Sequence, residues 1–498
     1  MDAFVTLTWE DVRHLAPEIV LSLFAVALAV CDLFFPKRWN RNAIGWLALA
    51  GVIITGVLVA ARLGTVYSIM NGSYRIDDFG NILSLVFLGA TAFIILSSLG
   101  SVRSREVPVK GEFYYLMLPA ALGAMVMASS GELITLYIGL ELLGITTYVL
   151  AAMRKRSSQS GEAAFKYLVT GSVASAFILY GMSFIYGITG TTNLSLGSGI
   201  NMALPDFKAL LYVAFFLMTA GFAVKLALAP FHAWAADVYQ GTPTPVTSFL
   251  AVVSKGAAFA MLYRIYMNLP FFVINEDVRG DLYTALAVLA AAAMIVGTAG
   301  ALRERNVKRL LALSGVANAG ILLIPLALTM TPVHASLFSE FVYYLIAYVF
   351  MNIGAFAVFT AVAAQSGDET LEGFTGLYHR APWTAAAMTV LICSLAGLPI
   401  TGGFFGKLFI LFGSVQAEAY WLAAILLVTT VVSYAVYFQF IRKMYMHGGS
   451  DAPVRIPGPA GVSVWLCVAA TLALGFLPKP ILEWIDGTFS IALDFLAR

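Results

Sequence analysis

An all-α polytopic membrane protein of about fourteen transmembrane helices is the fold class that three observations predict. The 498 residues are 60% hydrophobic and only 11% charged, against about 25% charged in an average soluble domain. Mean hydropathy is +0.87. Apolar runs long enough to cross about 30 Å of hydrocarbon recur along the whole chain, with no connection long enough for a separate soluble domain. Residues 1–498 therefore read as a single membrane domain.

Taken in order, the runs fall at 15–36, 43–62 and 79–100, an N-terminal group of three within 1–112. A first set of five occupies 113–268, at 113–130, 132–153, 165–188, 208–230 and 245–268. A second set occupies 281–442, at 281–302, 307–329, 336–364, 383–413 and 420–442. The last run, 460–478, lies in a final part, 443–498, whose stretch ILEWIDGTFSIALDFLAR reads as a short amphipathic helix at the surface. These are spans 1 to 14 below. Span 1 has no positively charged region ahead of it and no small-residue cleavage site, so it reads as a retained helix.

Two spans are interrupted in mid-membrane. Span 7 carries Pro230 in LALAPFHAWAAD, and span 12 carries Pro399 in SLAGLPITGGFFGK beside Gly397, Gly402 and Gly403. Proline removes a helical hydrogen bond, and glycine lets the chain leave helical geometry. Freed backbone groups are tolerated at that depth only beside protein or water. The breaks lie five spans apart, so spans 4–8 and 9–13 read as two inverted five-helix repeats, the arrangement that marks an ion path in transporters. Aligned on the prolines, Ser394 falls where Lys225 lies.

Lysine and arginine set the orientation. Loops after odd spans hold seventeen, including Lys37, Arg38, Arg154, Lys155, Arg156, Arg303 and Lys308, against seven on the other side, among them Arg62 and Arg279. Odd loops therefore face the cytoplasm and both termini the outside of a cell membrane. The net charge of +2, spread over short loops, gives no nucleic-acid surface. Cys31, Cys393 and Cys467 are single, without any CxxC or Cys/His spacing for zinc or an iron–sulfur cluster. No glycine-rich phosphate loop is present either. Redox chemistry belongs to other chains.

Within this apolar frame four charges stand out: Glu141 in span 5, Lys225 in span 7, Lys255 in span 8 and Lys407 in span 12. Each costs about 2.5–3.5 kcal/mol at mid-bilayer, so each needs a reason. Lysine can give up its proton when desolvated and take it back beside a carboxylate. Glu141 and Lys225 read as an ion pair whose separation releases the lysine proton. Moving one charge against ~200 mV takes roughly 4.6 kcal/mol, a scale that making and breaking one desolvated pair can supply. The alternative is a static structural pair. His232, seven residues from Lys225, lies two turns along on nearly the same face if the helix continues, where an imidazole can relay to Lys255. Lys407 ends the row, with snorkelling to the surface as its rival reading. Lys166, at the start of span 6, is an accessory position that can equally snorkel. Glu132 reads as a solvated end, and Asp32 as a partner of Lys37 or Arg38. Arg264 and Glu340 read as interfacial anchors.

The stretches GLELLGITTYVLAA, GEAAFKYLVTGSVASAFILYG, KLALAPFHAWAADVYQGTPTPVTSFLAVVSKGAAF, RNVKRLLALSGVANAG and LAGLPITGGFFGKLFIL resemble the antiporter-like subunits of respiratory complex I. One type in that family carries a glutamate where Lys407 stands and another has a long lateral C-terminal arm; Lys407 and the short tail favour the third. The resemblance implies a proton-translocating subunit of an NADH–quinone oxidoreductase. Glu141, Lys225, Lys255 and Lys407 match the family's proton-path residues, with His232 and Lys166 accessory. It also implies partners: the bilayer, other membrane subunits, and chains carrying FMN and iron–sulfur clusters, with NADH and quinone met only through the whole complex. Asn318 departs from the pattern, because a histidine is common there; asparagine holds water but does not titrate. Two rivals stay open, a subunit of a multi-subunit sodium/proton antiporter and one of a ferredoxin- or F420-linked relative. A non-pumping scaffold is disfavoured by the four charges.

Overall fold

The computed structural model describes residues 7–34, 40–102, 107–194, 198–268, 276–328, 337–446, 448 and 454–489. Among the described residues, thirteen helices are long and apolar enough to cross a membrane. The fourteenth span is span 12, divided into two short helices, Pro382–Ala396 and Gly402–Gln416. Span 7 ends at Leu226, and its chain resumes as a separate helix, Ala233–Gly241.

Burial is uneven across the spans. The helices of spans 8, 10 and 11, Thr244–Asn268, Val307–Ala327 and Leu337–Ser366, are wrapped by protein almost all round. The first span, Ala16–Phe34, and the helix Tyr420–Met446 present most of their surface outward, where Leu23, Val26, Val428 and Val431 are exposed. In a bilayer those apolar faces meet lipid at no hydrophobic cost, whereas polar groups need protein around them.

Several elements differ from expectation. The helix of span 6 runs over Ser158–Thr189, starting seven residues earlier than the apolar run because the hydroxyl of Ser157 accepts from the Ser160 N–H at its start. Between spans 2 and 3 the chain forms a β-hairpin, Tyr67–Ile69 against Tyr74–Ile76. Met70, Asn71 and Gly72 turn it with positive φ, the conformation that an Asn-Gly pair favours. The C-terminal amphipathic helix covers Pro478–Thr488; residues 490–498 lie outside the described residues.

Two residues expected at the interface are internal. Arg264 is 1% exposed and grips Asp77 through both guanidinium nitrogens, at 2.5 and 2.6 Å, while its Nε donates to the Ala128 carbonyl. Asp77 also accepts from the Gly80 N–H at the start of span 3, so this pair ties span 8 to the N-terminal group. Glu340 is likewise buried. A second buried pair joins Glu18 of span 1 to Arg62 after span 2, with Tyr74 donating to the same carboxylate. Asp32 pairs with Arg41 at 3.1 Å; Lys37 and Arg38 lie outside the described residues. Lys308, counted as a loop cation, is buried and donates to the carbonyls of Gln240 and Thr242.

Candidate functional site

The two breaks share one geometry. In span 7, Ala227 has φ 56°, its N–H donates to the Val224 carbonyl, and the next N–H, of Leu228, reaches back to Ala223 at 2.8 Å. In span 12, Gly397 has φ 83°, with bonds from Gly397 to Ser394 and from Leu398 to Cys393. Each is a Schellman helix end with a left-handed residue after its last turn. Glycine takes that conformation freely, whereas Ala227 is held there against a cost of roughly 1–2 kcal/mol. The matching residues are Ala227 and Gly397, so Lys225 corresponds to Leu395. Aligning on the prolines misplaced it by one, because Pro230 lies three residues past its turn and Pro399 two.

Because the helix ends at Leu226, the same-face argument for His232 does not hold. His232 sits ahead of Ala233, at the start of the second half-helix, half-buried, with its Nδ1 buried and unpartnered.

Lys225 does not pair directly with Glu141. Its ammonium is 3.2 Å from the Tyr148 hydroxyl and 5.7 Å from that ring's centre. Glu141 is the charged group next to it, with one carboxylate oxygen buried and unpartnered. The pair is open, because the tyrosine two turns along the Glu141 helix holds the lysine head instead.

Beyond Tyr148 lie further tyrosines. Tyr148 meets the edge of Tyr167 at 4.8 Å, and Tyr167 bonds Thr147 at 3.2 Å while stacking on Trp234. Tyr239 follows, buried, its hydroxyl unpartnered, 6.0 Å across its ring from the Lys255 ammonium. Lys255 is 2% exposed and directly follows a π-helical stretch, Leu250–Ser254. Such bulges shift the register of the side chains beyond them and recur at functional sites. Its Nζ donates to the Gly315 carbonyl at 2.8 Å. A Cβ at Gly315 would lie 2.9 Å from that Nζ and 3.1 Å from the Tyr348 hydroxyl, so only glycine leaves the lysine its place.

Beyond Lys255 lies a second polar cluster. Asn318 accepts from Tyr344 at 2.6 Å and donates to Ser314, whose hydroxyl meets Tyr437 at 2.5 Å. Three residues before Tyr437 on the same helix, Tyr434 donates to the Gly397 carbonyl at 3.3 Å, at the second break. There Lys407 is 7% exposed and donates to the carbonyls of Leu395 and Ala396, at 2.9 and 3.2 Å. It points into the break and does not snorkel. Lys255 and Lys407 have no carboxylate partner among the described residues; backbone carbonyls hold both. A carbonyl accepts from an ammonium or from a neutral amine, so these sites tolerate either protonation state.

Lys166 stands apart from this row. Its Nζ lies 2.7 Å from Glu162 and 2.6 Å from Asp237, which also binds Arg309 at 2.5 Å. Glu132 accepts from Thr135 and Thr192 at its helix start and is half-buried. A cavity of about 390 Å³, lined by Arg154, Ser157, Thr244 and Glu369, opens beside the start of the Lys255 helix. Among the described residues no group of His, Cys, Asp and Glu could hold a metal ion.

Sequence reasoning found the lysines and missed the tyrosines. An aromatic residue in an apolar run carries no signal of its own, since the default for Tyr148, Tyr239 or Tyr344 is core packing.

The chain matches known proteins over its length. The family described as NADH:quinone oxidoreductase/Mrp antiporter, TM, matches residues 130–433. NADH-quinone oxidoreductase subunit N of Paenibacillus sp. (strain JDR-2) is 53% identical, with all of both chains covered. The subunit of the same name from Brevibacillus brevis is 44% identical over 97% of this chain and 96% of that one. Among solved structures, a chain of respiratory complex I from Thermus thermophilus with bound aureothin is 32% identical, with TM-score 0.78, over 94% of this chain and 98% of that one. A chain of the Mrp complex from Dietzia sp. shares the fold at TM-score 0.80 and 21% identity, over 98% of both.

Proposed function

The chain belongs to the NADH:quinone oxidoreductase/Mrp antiporter family of membrane subunits, and we propose that it moves protons as the N-type subunit of a complex I-type NADH–quinone oxidoreductase. Its chemistry is proton transfer alone. Electron transfer takes place in partner chains holding FMN and iron–sulfur clusters, and NADH and quinone act on this subunit only through the assembled complex.

One observation carries the reading: Lys225, Lys255 and Lys407, on three different spans, are each held by neutral oxygens, with tyrosine, serine and asparagine groups in their surroundings. Lysines in neutral cages can exchange protons where lysines in tight ion pairs cannot. Glu141 is the one acidic member. When it draws Lys225 close, the lysine holds its proton; when Lys225 sits at Tyr148, the proton is free to pass toward Lys255. His232, at the break, offers a second titratable stop, and Lys166 belongs to the Asp237 network at the end of the Lys255 region. The two broken halves are read as inverted repeats, with the odd loops facing the cytoplasm of a cell membrane and both termini outside. On that orientation the Arg154–Glu369 cavity is the cytoplasmic vestibule.

A sodium/proton exchanger subunit would share this fold. The whole-length likeness to N subunits, at 53% identity, favours the redox-driven complex. The test is Glu141→Gln in the assembled complex. Proton pumping per electron pair should fall and quinone reduction should slow, while native gels show the complex intact. Full pumping by an assembled Glu141→Gln complex rules Glu141 out of the path.

A further inference from the structure

Glu141, Gly144 and Tyr148 occupy one face of the span 5 helix at spacings of three and four. Seven residues are two helical turns, about 10.5 Å of rise. Side chains lean toward the N-terminal end of their helix, so the Tyr148 hydroxyl comes back over Gly144 toward Glu141. A Cβ at Gly144 would lie 3.3 Å from the Tyr148 hydroxyl and 3.7 Å from the Lys225 ammonium. The lysine head therefore rests over the bare backbone of Gly144, beside the phenol and one turn from Glu141 along the helix.

The tyrosine is given its place by a second glycine on the neighbouring helix. A Cβ at Gly171 would fall 2.2 Å from the Tyr148 hydroxyl and 2.8 Å from its ring, which no side chain tolerates. Gly171 is a slot for this phenol. Glu141 keeps one buried carboxylate oxygen without a hydrogen-bond partner, an acceptor open to a donor.

We propose that Tyr148 is a positioning residue, a second dock for Lys225. The ammonium alternates between Glu141 and the Tyr148 hydroxyl by swinging over Gly144, and Gly144 and Gly171 keep that track and dock open. The proposal rests on Glu141 and Lys225 being members of the proton path, and it deepens that reading by naming what stabilises the open state. The swing itself makes and breaks only hydrogen bonds: at Tyr148 the lysine nitrogen donates to a neutral oxygen, and in the transfer that follows its N–H breaks as an O–H forms at Tyr148, the hydroxyl passing its own proton onward and leaving a neutral amine. The titratable groups around the lysine are Glu141, Tyr148, Tyr137 lying against Glu141, and Tyr167 against Tyr148.

The experiment uses the intact complex in reconstituted vesicles and follows protons moved per electron pair against pH. Tyr148→Phe keeps the ring in its slot and removes the hydroxyl. Lys225 then stays with Glu141, which favours its charged form. Pumping should fall at neutral pH and return as pH rises, with the half-maximal point displaced upward by about one unit, a tenfold change in the proton equilibrium. A merely structural tyrosine would not move that profile. Gly144→Val places methyl groups on the track and should reduce pumping several-fold at every pH in an assembled complex. Gly171→Ala presses on both the hydroxyl and the ring, so it should displace the tyrosine from its slot and shift the profile in the same direction. If Tyr148→Phe and Gly144→Val both pump with wild-type yield and profile while Glu141→Gln and Lys225→Met do not, the second dock is overturned and the proton path stands. If Glu141→Gln and Lys225→Met also pump normally, the path itself has failed.

Discussion

Lys407 is where charge and packing can be separated most cleanly. Its ammonium donates to the carbonyls of Leu395 and Ala396, the last two of a half-helix inside the membrane. Those carbonyls form the negative end of the helix dipole and have no helical partner. Lys407→Met keeps the apolar stem and removes the donor, leaving two buried carbonyls bare at about 1–3 kcal/mol each. With Tyr434 still at 3.3 Å from the next carbonyl, that of Gly397, the break keeps some of its support, and the net loss should be about 2–4 kcal/mol. Lys407→Arg behaves differently. Guanidinium has donors to spare for both carbonyls but stays protonated at any accessible pH. It also needs room, and the Cδ of Lys407 already lies 3.0 Å from where a Cβ on Gly397 would be; that residue's being glycine provides the space. The Arg variant should therefore keep most of the stability and lose the pumping, while the Met variant loses both. Thermal unfolding of the purified complex reads the first quantity, and proton uptake per electron pair in vesicles reads the second. Full pumping by Lys407→Arg would show that this lysine only caps the broken helix. A Met variant as stable as wild type would refute the capping energies.

Asp77→Asn leaves the Arg264 guanidinium buried without its counter-charge, and should destabilise the protein by about 3–5 kcal/mol, seen as loss of the complex on native gels. Asp77→Leu combined with Arg264→Met removes both charges and should recover much of that loss; a double variant as damaged as the single would show that the charges are needed for more than each other. Orientation is tested with accessibility tags. One following Arg498 should react only from outside and one at residues 303–305 only from the cytoplasm; the reverse pattern would invert the path and its vestibule.

Hydrophobic run length made the helices legible, because a membrane span must satisfy its backbone internally and so must be long, apolar and helical. It also made visible the three lysines and the glutamate, which no apolar core explains. What stayed hidden depends on pairing in three dimensions. Arg264 reads as an anchor near a helix end until Asp77, 187 positions earlier, is found against it. Lys308 reads as a cytoplasmic loop charge because it follows Arg303 and Arg305, yet it turns inward to cap the Gln240 and Thr242 carbonyls. The Asn71–Gly72 turn was legible in principle, as an Asn-Gly pair between β-prone residues, but a search tuned to twenty-residue runs passes over three-residue strands. Tyr148 could not be separated from core aromatics without knowing that Gly144 and Gly171 clear its surroundings.

The two breaks explain how one helical scaffold carries two kinds of station. Both end a half-helix in the same Schellman turn, and both expose carbonyls that need donors. In span 7 the Trp234 indole adds a second donor, at 2.9 Å, to the Val224 carbonyl that already accepts from the Ala227 N–H. An indole N–H does not titrate, so that cap is permanent, and Lys225, one residue further along, is left free to face Glu141 and Tyr148. In span 12 the donor is the Lys407 ammonium itself. There the cap and the titratable group are the same side chain, so a change in its protonation also changes the number of hydrogens available to the broken helix. On the proposed path, proton loading at the second break would thereby be tied to backbone support, and at the first it would not. An asymmetry of that kind is what a directional path through two similar breaks requires, and it comes from what each amine binds: a tyrosine hydroxyl at the first break, the carbonyls of the half-helix itself at the second.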